Sequence, residues 1–348
     1  MKQQIIISRA LNEELGELCA AGYDAVFVLT DETTHTLCLP MLAGCAPLRA
    51  AQEIVIPPTD VAKTLDSVVH VWTSLGAGGA SRHSLLVCLG GGMVTDLGGF
   101  AAATFKRGID FINIPTTLLA MVDAAVGGKT GINFNGLKNE IGVFRESRAV
   151  IIDTGFLRTL DAHNLRSGYA EMLKHALLSD DGMWSRHLRF DLDAPDYAEL
   201  QDMVAESIAV KERIVTEDPH EKGLRKALNL GHTVGHALES LALETHRPVL
   251  HGYAVAWGLI GELYLSTALR GFPAEKMRQT VGYIRQHYGR FSFSCDDYAH
   301  LYDLMRHDKK NVAGQINFTL LDDVGSISLD CHATQETVYE AFDFLREG

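Results

Sequence analysis

The sequence predicts two domains: an α/β domain with a parallel sheet over residues 1–160, and a mainly α-helical domain over residues 161–348. In the first 150 residues, short runs rich in β-branched residues alternate with helical patterns, as they do in parallel sheets with crossover helices. From about residue 160, long amphipathic segments replace this alternation. The length of 348 residues allows two domains, and 47% hydrophobic with 22% charged residues is ordinary for a folded globular protein.

Four apolar runs are the expected strands of the first domain, in the order DAVFVLTDE, SLLVCLGGG, FINIPTT and RAVIIDT. The second domain is expected to form helices over 196–215, 224–241 and 252–270, and a strand pattern returns only in INFTLLDDVGSISLD. No internal repeat or low-complexity linker separates the domains, so we expect a packed junction near residue 160. Small ligands commonly bind in clefts along such junctions.

Composition argues against several classes of protein. With 31 basic and 44 acidic residues the net charge is −13, so the surface as a whole repels nucleic acid and anionic membranes. The six cysteines are scattered without paired spacing, which favours reduced thiols over a disulfide framework or a zinc ribbon. The start of the chain returns to charge after a short apolar run, and no stretch reaches the roughly 18 apolar residues of a membrane span. A cytoplasmic location is the expectation.

A glycine-rich turn follows the second expected strand, where Gly90, Gly91 and Gly92 lead into a helix. Glycines there let the backbone approach a pyrophosphate, and the N–H groups of a helix start favour its charge. The spacing is not the G-x-G-x-x-G fingerprint, and such turns are often purely structural. Asp31, which ends a strand, and Asp60, which follows a proline turn, add carboxylates suited to ribose hydroxyls. Together these features favour NAD over NADP, although either aspartate alone is typical of a solvated loop.

Two histidines four residues apart, each preceded by glycine, lie in ALNLGHTVGHALE. If the segment is one continuous helix, four polar side chains share one stripe of its core-facing surface: Arg225, Asn229, His232 and His236. A lone buried histidine is usually a satisfied core residue. Four polar residues at core spacing, with Gly231 and Gly235 allowing another element to pack closely, favour a functional site instead.

A divalent metal is the site's expected occupant. The pattern H-E-x-x-H is absent because Thr233 takes the glutamate position, which disfavours metalloprotease chemistry. A catalytic metal commonly takes three protein ligands and keeps one position open for substrate. Glu171 in GYAEMLKHALL, His232, and His251 at the start of HGYAVAWGLIGELY fit that requirement, and His175 is a rival that spacing leaves open.

Basic residues in glycine-rich or apolar contexts form a third group. Any one of them is typical of a solvated surface, but a set in an acidic protein indicates a small substrate with more than one negative charge. The group consists of Arg107, Lys129, Lys138, Lys174, Lys211, Arg225, Lys309 and Lys310, with Asn139 beside them.

Seven stretches of the chain, from about Asp31 to Lys310, resemble the 3-dehydroquinate synthase family, sugar phosphate cyclases of the shikimate pathway. They are GGGMVTDLGGFAAATFKRG, IPTTLLAMVDAAVGGKTGIN, LKNEIG, SGYAEMLKH, EKGLRKALNLGHTVGHALE, HGYAVAWG and HDKKN. Where many members of the family have a ribose-binding glutamate this chain has Asp60, one methylene shorter, and VDAAVGGKT replaces VDSSVGGKT. These departures leave every charged contact in place.

The resemblance implies a role for each matching position. The metal ligands, to Zn²⁺ or Co²⁺, would be Glu171, His232 and His251, leaving His175 a supporting or packing role. NAD contacts would fall on Asp31, Asp60, Lys63, Gly90, Gly91, Gly92, Met93, Asp96, Thr116, Thr117, Lys138 and the segment Phe156 to Thr159. Substrate contacts would fall on Asp123, Lys129, Asn139, Lys174, Lys211, Arg225, Asn229, His236 and Lys309 or Lys310, with Arg107 reaching a neighbouring subunit's site in a homodimer. Glu221 matches a catalytic acid or base.

The implied reaction converts 3-deoxy-D-arabino-heptulosonate 7-phosphate into 3-dehydroquinate and phosphate. A metal-bound hydroxyl is oxidised by NAD, phosphate leaves, the ketone is reduced again, and the ring opens and closes by an aldol step. The substrate's carboxylate and phosphate agree with the basic group, and the phosphate itself can serve as base for the elimination.

Three alternatives remain at this stage. Another sugar phosphate cyclase would act on a substrate without a carboxylate, which the presence of Arg225, Asn229 and Lys211 disfavours. A metal-dependent polyol dehydrogenase would release NADH in bulk and would not need so many anion-binding lysines. A catalytically inactive NAD-binding protein would be expected to carry a disabling substitution, and none of the motif positions has one.

Overall fold

The computed structural model of the protein describes residues 3–135, 137–219, 221–306 and 315–347. The chain forms two compact units. The first comprises Met1–Asp161 with Tyr197–Ile208, and the second comprises Ala162–Asp196 with Ala209–Gly348. In the part of the chain that is described, no helix combines the length and the apolar character needed to cross a membrane.

Ten strands are described, eight in the first unit and two in the second. They are β1 (Gln4–Ile7), β2 (Val26–Asp31), β3 (Gln52–Ile56), β4 (Leu85–Gly90), β5 (Asp110–Pro115), β6 (Lys129–Phe134), β7 (Leu137–Phe144), β8 (Ala149–Ile152), β9 (Phe318–Asp323) and β10 (Ser326–Cys331). Six of them form one sheet in the order β1-β8-β5-β4-β2-β3, and every pairing is parallel. The remaining strands form two antiparallel pairs, β6 with β7 and β9 with β10.

The helices of the described chain are α1 (Leu11–Cys19), α2 (Glu32–Leu37), α3 (Leu65–Ala77), α4 (Gly92–Thr104), α5 (Ala162–Leu177), α6 (Asp181–Arg189), α7 (Tyr197–Glu217), α8 (His232–Glu244), α9 (His251–Arg270), α10 (Ala274–Tyr288), α11 (Tyr298–Arg306) and α12 (Gln335–Glu347). The division between the two units falls within α7. Among the described residues, the first unit contains the parallel sheet, its helices and the β6–β7 hairpin, and the second is helical apart from the β9–β10 hairpin. This architecture confirms the predicted fold class.

The parallel sheet forms where the sequence predicts it because its strands are apolar on both faces. Every residue of β4 is buried, and so is every residue of β8, as expected for a sheet covered by helices on both sides. The four predicted strands correspond to β2, β4, β5 and β8. The pattern missed β1 and β3, whose runs of four and five residues are too short to give a clear period. It also missed the β6–β7 hairpin.

Helix α9 is the central element of the second unit. Its apolar residues point in all directions, as is typical of a helix surrounded by protein, and thirteen of its residues are buried. A Cβ placed on Gly252 would lie 1.8 Å from the Ser167 carbonyl oxygen in α5, and one on Gly258 would lie 1.9 Å from the Gly231 carbonyl oxygen before α8. Both neighbouring backbones therefore approach α9 at distances that only glycine permits.

The predicted continuous helix over 224–241 is wrong. The chain forms a short 3₁₀ helix over Leu224–Asn229, turns at Gly231, and starts α8 at His232. Gly231 has a φ of 79°, in the left-handed region that ends regular right-handed structure. The stripe predicted for Arg225, Asn229 and the two histidines therefore does not exist as one helical face.

Candidate active site

The turn between β4 and α4 has the geometry of an anion cradle. Gly91 directly precedes α4 and has no side chain with which to cap the first turn of that helix. A Cβ on Gly91 would lie 3.0 Å from the Thr117 side chain, and one on Gly90 would lie 2.5 Å from the Val94 side chain. Helix-start amides without a capping side chain suit a phosphate oxygen. Met93 lies in the same turn.

A polar chain of hydrogen bonds joins several predicted cofactor and substrate residues of the first unit. The buried Lys63 Nζ donates to Asp96 Oδ2 at 2.6 Å and to Asn139 Oδ1 at 2.5 Å. Asn133 Oδ1 accepts from the Asn139 backbone N–H at 3.0 Å, and Asn133 Nδ2 donates to Asp60 Oδ2 at 3.2 Å. No local pattern predicted Asn133, because its hydrogen-bond partner Asp60 lies 73 residues away in the chain.

Other residues predicted to bind the cofactor also have structural roles. Asp31 Oδ1 accepts from the backbone N–H groups of Thr33 and Thr34, so this carboxylate caps α2. The Thr116 backbone N–H donates to the Gly90 carbonyl oxygen at 3.0 Å, which places Thr116 beside the glycine turn. Phe156 is fully buried, and its side chain belongs to the core.

The remaining predicted residues of the first unit lie in irregular or exposed positions. Thr159 is exposed at the end of a 3₁₀ helix, and Asp123 lies in a single π-helical turn, a feature frequent at functional sites. Lys129 begins β6 and is exposed, and Lys138 Nζ lies 3.9 Å from the Asp60 carboxylate. Arg107 is exposed and has a φ of 69°, a left-handed conformation that non-glycine residues seldom adopt.

Three helices of the second unit bring together the three predicted metal ligands. Glu171 on α5 is fully buried, His232 is the first residue of α8, and His251 is the first residue of α9. Glu171 Oε1 lies 3.3 Å from His232 Nε2 and 3.5 Å from His251 Nε2. The buried Lys174 ammonium contacts Glu171 Oε2. Of the two rival ligands on α5, Glu171 is therefore the one that lies against both imidazoles, while His175 is fully buried one turn on.

The second nitrogen of each imidazole is held by an oxygen acceptor. His232 Nδ1 lies 3.1 Å from the Leu230 carbonyl oxygen, and His251 Nδ1 lies 3.1 Å from Glu239 Oε2. A proton on each Nδ1 would satisfy these oxygens and leave the lone pair of each Nε2 available to a metal ion. One carboxylate oxygen and two such imidazole nitrogens form the donor set of a catalytic divalent metal, so these residues fit the ion.

The charges of this cluster favour the ionised carboxylate. Burial raises the pKa of Glu171, but the charges of Lys174 and His232 outweigh burial and hold that pKa well below its usual range. Burial lowers the pKa of His251, but hydrogen bonds with Glu171 and Glu239 raise it to about 10. The site thus attracts positive charge, whether a proton or a metal ion.

His236 lies beside this cluster, one turn along α8. Its ring centroid is 5.3 Å from that of His232 and 5.9 Å from that of His251. One ring nitrogen of each of His232, His236 and His251 lies within 4.8 Å of the other two, so the structure brings His236 to the same site. Glu239 was not predicted, although its position seven residues after His232, two helical turns on, could have indicated it.

The segment before α8 carries a second polar group. Glu221, in a left-handed conformation with a φ of 58°, accepts a hydrogen bond from Asn229 Nδ2 at 3.1 Å. The buried Arg225 donates to the Pro219 carbonyl oxygen at 2.7 Å, and Lys211 on α7 is also nearly fully buried. Lys309 and Lys310 lie outside the described residues.

Comparison with known families covers most of the chain. Residues 53–167 match the family model described as 3-dehydroquinate synthase N-terminal, and residues 168–311 match the one described as 3-dehydroquinate synthase C-terminal. A curated relative from Parabacteroides distasonis, named 3-dehydroquinate synthase, is 53% identical over 348 residues, which is 100% of this chain and 99% of the relative.

Two solved structures are similar over 99% of this chain. The 2-epi-5-epi-valiolone synthase of Streptomyces hygroscopicus subsp. jinggangensis, solved with NAD⁺ and Zn²⁺ bound, has a TM-score of 0.84 and 25% identity, covering 99% of this chain and 97% of that one. A 2-deoxy-scyllo-inosose synthase complexed with carbaglucose-6-phosphate, NAD⁺ and Co²⁺ has a TM-score of 0.82 and 22% identity, with coverage of 99% and 96%. At 22% identity, the similarity to this second structure shows the fold alone.

Proposed function

The chain belongs to the 3-dehydroquinate synthase family, and from that premise we propose how its residues divide the work of the reaction. The protein converts 3-deoxy-D-arabino-heptulosonate 7-phosphate into 3-dehydroquinate and phosphate, using NAD and a divalent metal. The observation that carries the assignment is the meeting of Glu171 Oε1 with the Nε2 atoms of His232 and His251.

Glu171, His232 and His251 hold the metal in this proposal. A bound divalent metal supplies a lower pKa for a coordinated substrate hydroxyl, and NAD supplies a hydride acceptor that is regenerated later in the cycle. The buried Lys174 balances the negative charge of Glu171 and is one of the cations available to the substrate. His236 faces the same place from the next turn of α8 and orients the substrate by hydrogen bonding.

Buried cations bind the anionic groups of the substrate. Lys211 and Arg225 are each less than one tenth exposed, and a charge-assisted hydrogen bond is strongest where water is excluded. Asn229 adds amide hydrogen bonds, and its partner Glu221 is placed to exchange a proton as a general acid or base. The substrate set is completed by Asp123, Lys129, Asn139 and one of Lys309 and Lys310.

The NAD site is assigned to the first unit. Its pyrophosphate would lie against the amides that follow Gly91, with Lys63, Asp96 and Asp60 arranged by the hydrogen-bond chain through Asn133. The other members of the set are Asp31, Gly90, Gly92, Met93, Thr116, Thr117, Lys138, Phe156 and Thr159. We assign residues 1–160 to NAD binding and 161–348 to metal and substrate binding.

Three finer features belong to the same proposal. The metal is Zn²⁺ or Co²⁺, in line with the nitrogen and oxygen donor set. The enzyme is a homodimer in which the exposed Arg107 of one protomer reaches the substrate of its partner. The protein works in the cytoplasm, on small anionic substrates rather than on nucleic acid or membranes, in agreement with its net charge of −13.

A coupled assay tests the reaction. Purified protein loaded with metal and NAD should release phosphate and form dehydroquinate in equal amounts from the heptulosonate phosphate, while absorbance from free NADH stays flat. Net NADH equal to product would instead indicate a polyol dehydrogenase.

His251→Ala should lose tightly bound metal and nearly all turnover, whereas His300→Ala, which removes an exposed histidine paired with Glu244, should keep both. Full activity and stoichiometric metal in His251→Ala would refute the ligand assignment.

A further inference from the structure

Glu262 is a fully buried carboxylate on α9, three helical turns after His251. Its Oε2 accepts from the Gly231 backbone N–H at 2.6 Å. Its Oε1 accepts from the backbone N–H groups of Thr233 at 2.9 Å and Val234 at 3.1 Å. One side chain of α9 therefore binds three amides at the start of α8.

These are the amides that a capping residue would normally satisfy. The first helical positions have no intrahelical acceptor, and a side chain at the residue before the helix usually supplies one. In α8 that residue is Gly231, which has no side chain, and a Cβ there would lie 2.8 Å from the Leu259 side chain and 3.1 Å from the Val255 carbonyl oxygen of α9. Glu262 takes over the capping function from the neighbouring helix.

The charge of Glu262 suits this position. A helix start carries partial positive charge, and a carboxylate there is stabilised by both the charge and the hydrogen bonds. An isolated carboxylate in the core would be costly, so the interaction ties the start of α8 firmly to α9. His232 is the first residue of α8, between the capped amides of Gly231 and Thr233.

We propose that Glu262 is a positioning residue: by capping α8 from α9, it fixes His232 relative to His251 at the spacing that the metal requires. The same contact sets the direction of His236, one turn further along α8. This inference rests on the proposed metal site, but it concerns a residue outside the ligand set and outside the substrate contacts.

The test compares metal-free wild type with Glu262→Gln, which keeps the size of the side chain but replaces one acceptor oxygen with an amide N–H group and removes the charge. We expect faster hydrogen exchange at the amides of Gly231, Thr233 and Val234, at least tenfold weaker Co²⁺ binding, and an altered Co²⁺ d–d absorption band. If Glu262→Gln does not fold, Glu262→Asp is measured instead. It retains the charge but has a side chain one methylene shorter, so the carboxylate lies further from the amides.

Asp180→Ala is the matched control, because Asp180 caps α6 in the same unit by accepting from the Met183 N–H at 2.9 Å. It should lower the melting temperature but keep the Co²⁺ affinity and spectrum of wild type. A folded Glu262→Gln protein that binds Co²⁺ as wild type does, with the same spectrum, would overturn the inference. So would rapid exchange of these amides in the unaltered metal-free protein.

The two proposals fail in different ways. If wild type bound no Co²⁺, or if His251→Ala bound it as wild type does, the proposed metal site would be wrong and the inference would fall with it. If wild type binds Co²⁺, His251→Ala does not, and Glu262→Gln binds normally, the metal site stands and only the role of Glu262 is refuted.

Discussion

Single hydrogen bonds decide how the two imidazoles of the candidate metal site face their carboxylate. The Leu230 carbonyl holds His232 from one side, and Glu239 holds His251 from the other. The two acceptors differ in kind, since one is a neutral backbone group and the other an ionised side chain. Only the second can be removed by substitution, so Glu239 offers a direct measure of how much this orientation contributes to metal affinity.

We predict that Glu239→Ala weakens metal binding by about 10- to 100-fold, because His251 loses the acceptor that sets its tautomer and orientation. Isothermal titration with Zn²⁺ measures the change. Glu244→Ala serves as the control, since Glu244 lies on the same helix but pairs with the exposed His300. Equal affinities in the two variants would contradict the role of Glu239.

His187 makes the protein's stability depend on pH. It is fully buried, its Nδ1 lies 2.8 Å from the Met183 carbonyl oxygen, and among the described residues its Nε2 has no hydrogen-bond partner. Burial lowers its pKa from 6.5 to about 4. An unfolded chain therefore takes up a proton as pH falls through 6.5, while the folded chain resists until about pH 4.

The stability contributed by the neutral His187 is thus present above pH 6.5 and lost between 6.5 and about 4. We predict that the free energy of unfolding, measured in urea, falls between pH 7 and pH 4 in both proteins, but by about 3 kcal/mol less in His187→Phe than in wild type. Parallel pH profiles for the two proteins would show that His187 does not titrate in this way.

At the scale of elements, glycines at the points of closest approach set the distances between the helices that carry the histidines and the carboxylate. Gly258 lets the turn before α8 approach α9, and Gly252 lets α5 approach α9, with the Gly252 N–H donating to Ser167 Oγ at 3.1 Å. Both contacts involve backbone atoms, which cannot move aside as a flexible side chain can. The ligand geometry therefore depends on residues that carry no functional group.

We predict that Gly258→Ala destabilises the protein by about 1–3 kcal/mol and weakens metal binding, because the new Cβ would lie 1.9 Å from the Gly231 carbonyl oxygen. Thermal unfolding and metal titration measure both effects. Gly282→Ala on α10 is the control, since a Cβ there meets nothing within 4 Å and should be neutral or slightly stabilising. If Gly258→Ala changed neither the stability nor the metal affinity, α8 and α9 would tolerate being moved apart.

At the scale of the whole molecule, the distribution of charge matters more than its total. The net charge is −13, yet four of the cations predicted to bind anionic ligands are less than one tenth exposed: Lys63, Lys174, Lys211 and Arg225. Buried cations keep a strong local field that an acidic surface and its counterions do not cancel. Arg107 differs from them in being exposed, which fits a residue whose partner lies on another protomer.

We predict that Arg107→Ala weakens substrate binding, by about 1.5–3 kcal/mol, while leaving NAD and metal binding unchanged. Mixing Arg107→Ala with His251→Ala should restore part of the activity after subunit exchange, because a mixed dimer contains one intact site and one site with both defects. No recovery, with exchange verified independently, would place Arg107 in its own protomer's site or in none.

The sequence by itself determined the parallel α/β sheet, the glycine turn before α4 and the identity of the residues that meet in the candidate metal site. Apolar periodicity and turn residues are local, so they can be interpreted without knowing what packs against them. The assignment of Glu171 rather than His175 already required the family resemblance, since both lie on one helix at compatible spacing.

Only the tertiary structure decided the rest. It broke the expected helix at Gly231, because the approach of α9 requires a left-handed glycine there, and it supplied the cap of α8 from Glu262, 31 residues further along the chain. It likewise joined Asn133 to Asp60, 73 residues away. Hydrogen bonds between residues so far apart in the sequence depend on which elements pack together. No local pattern carries that information, because it arises only when the chain folds.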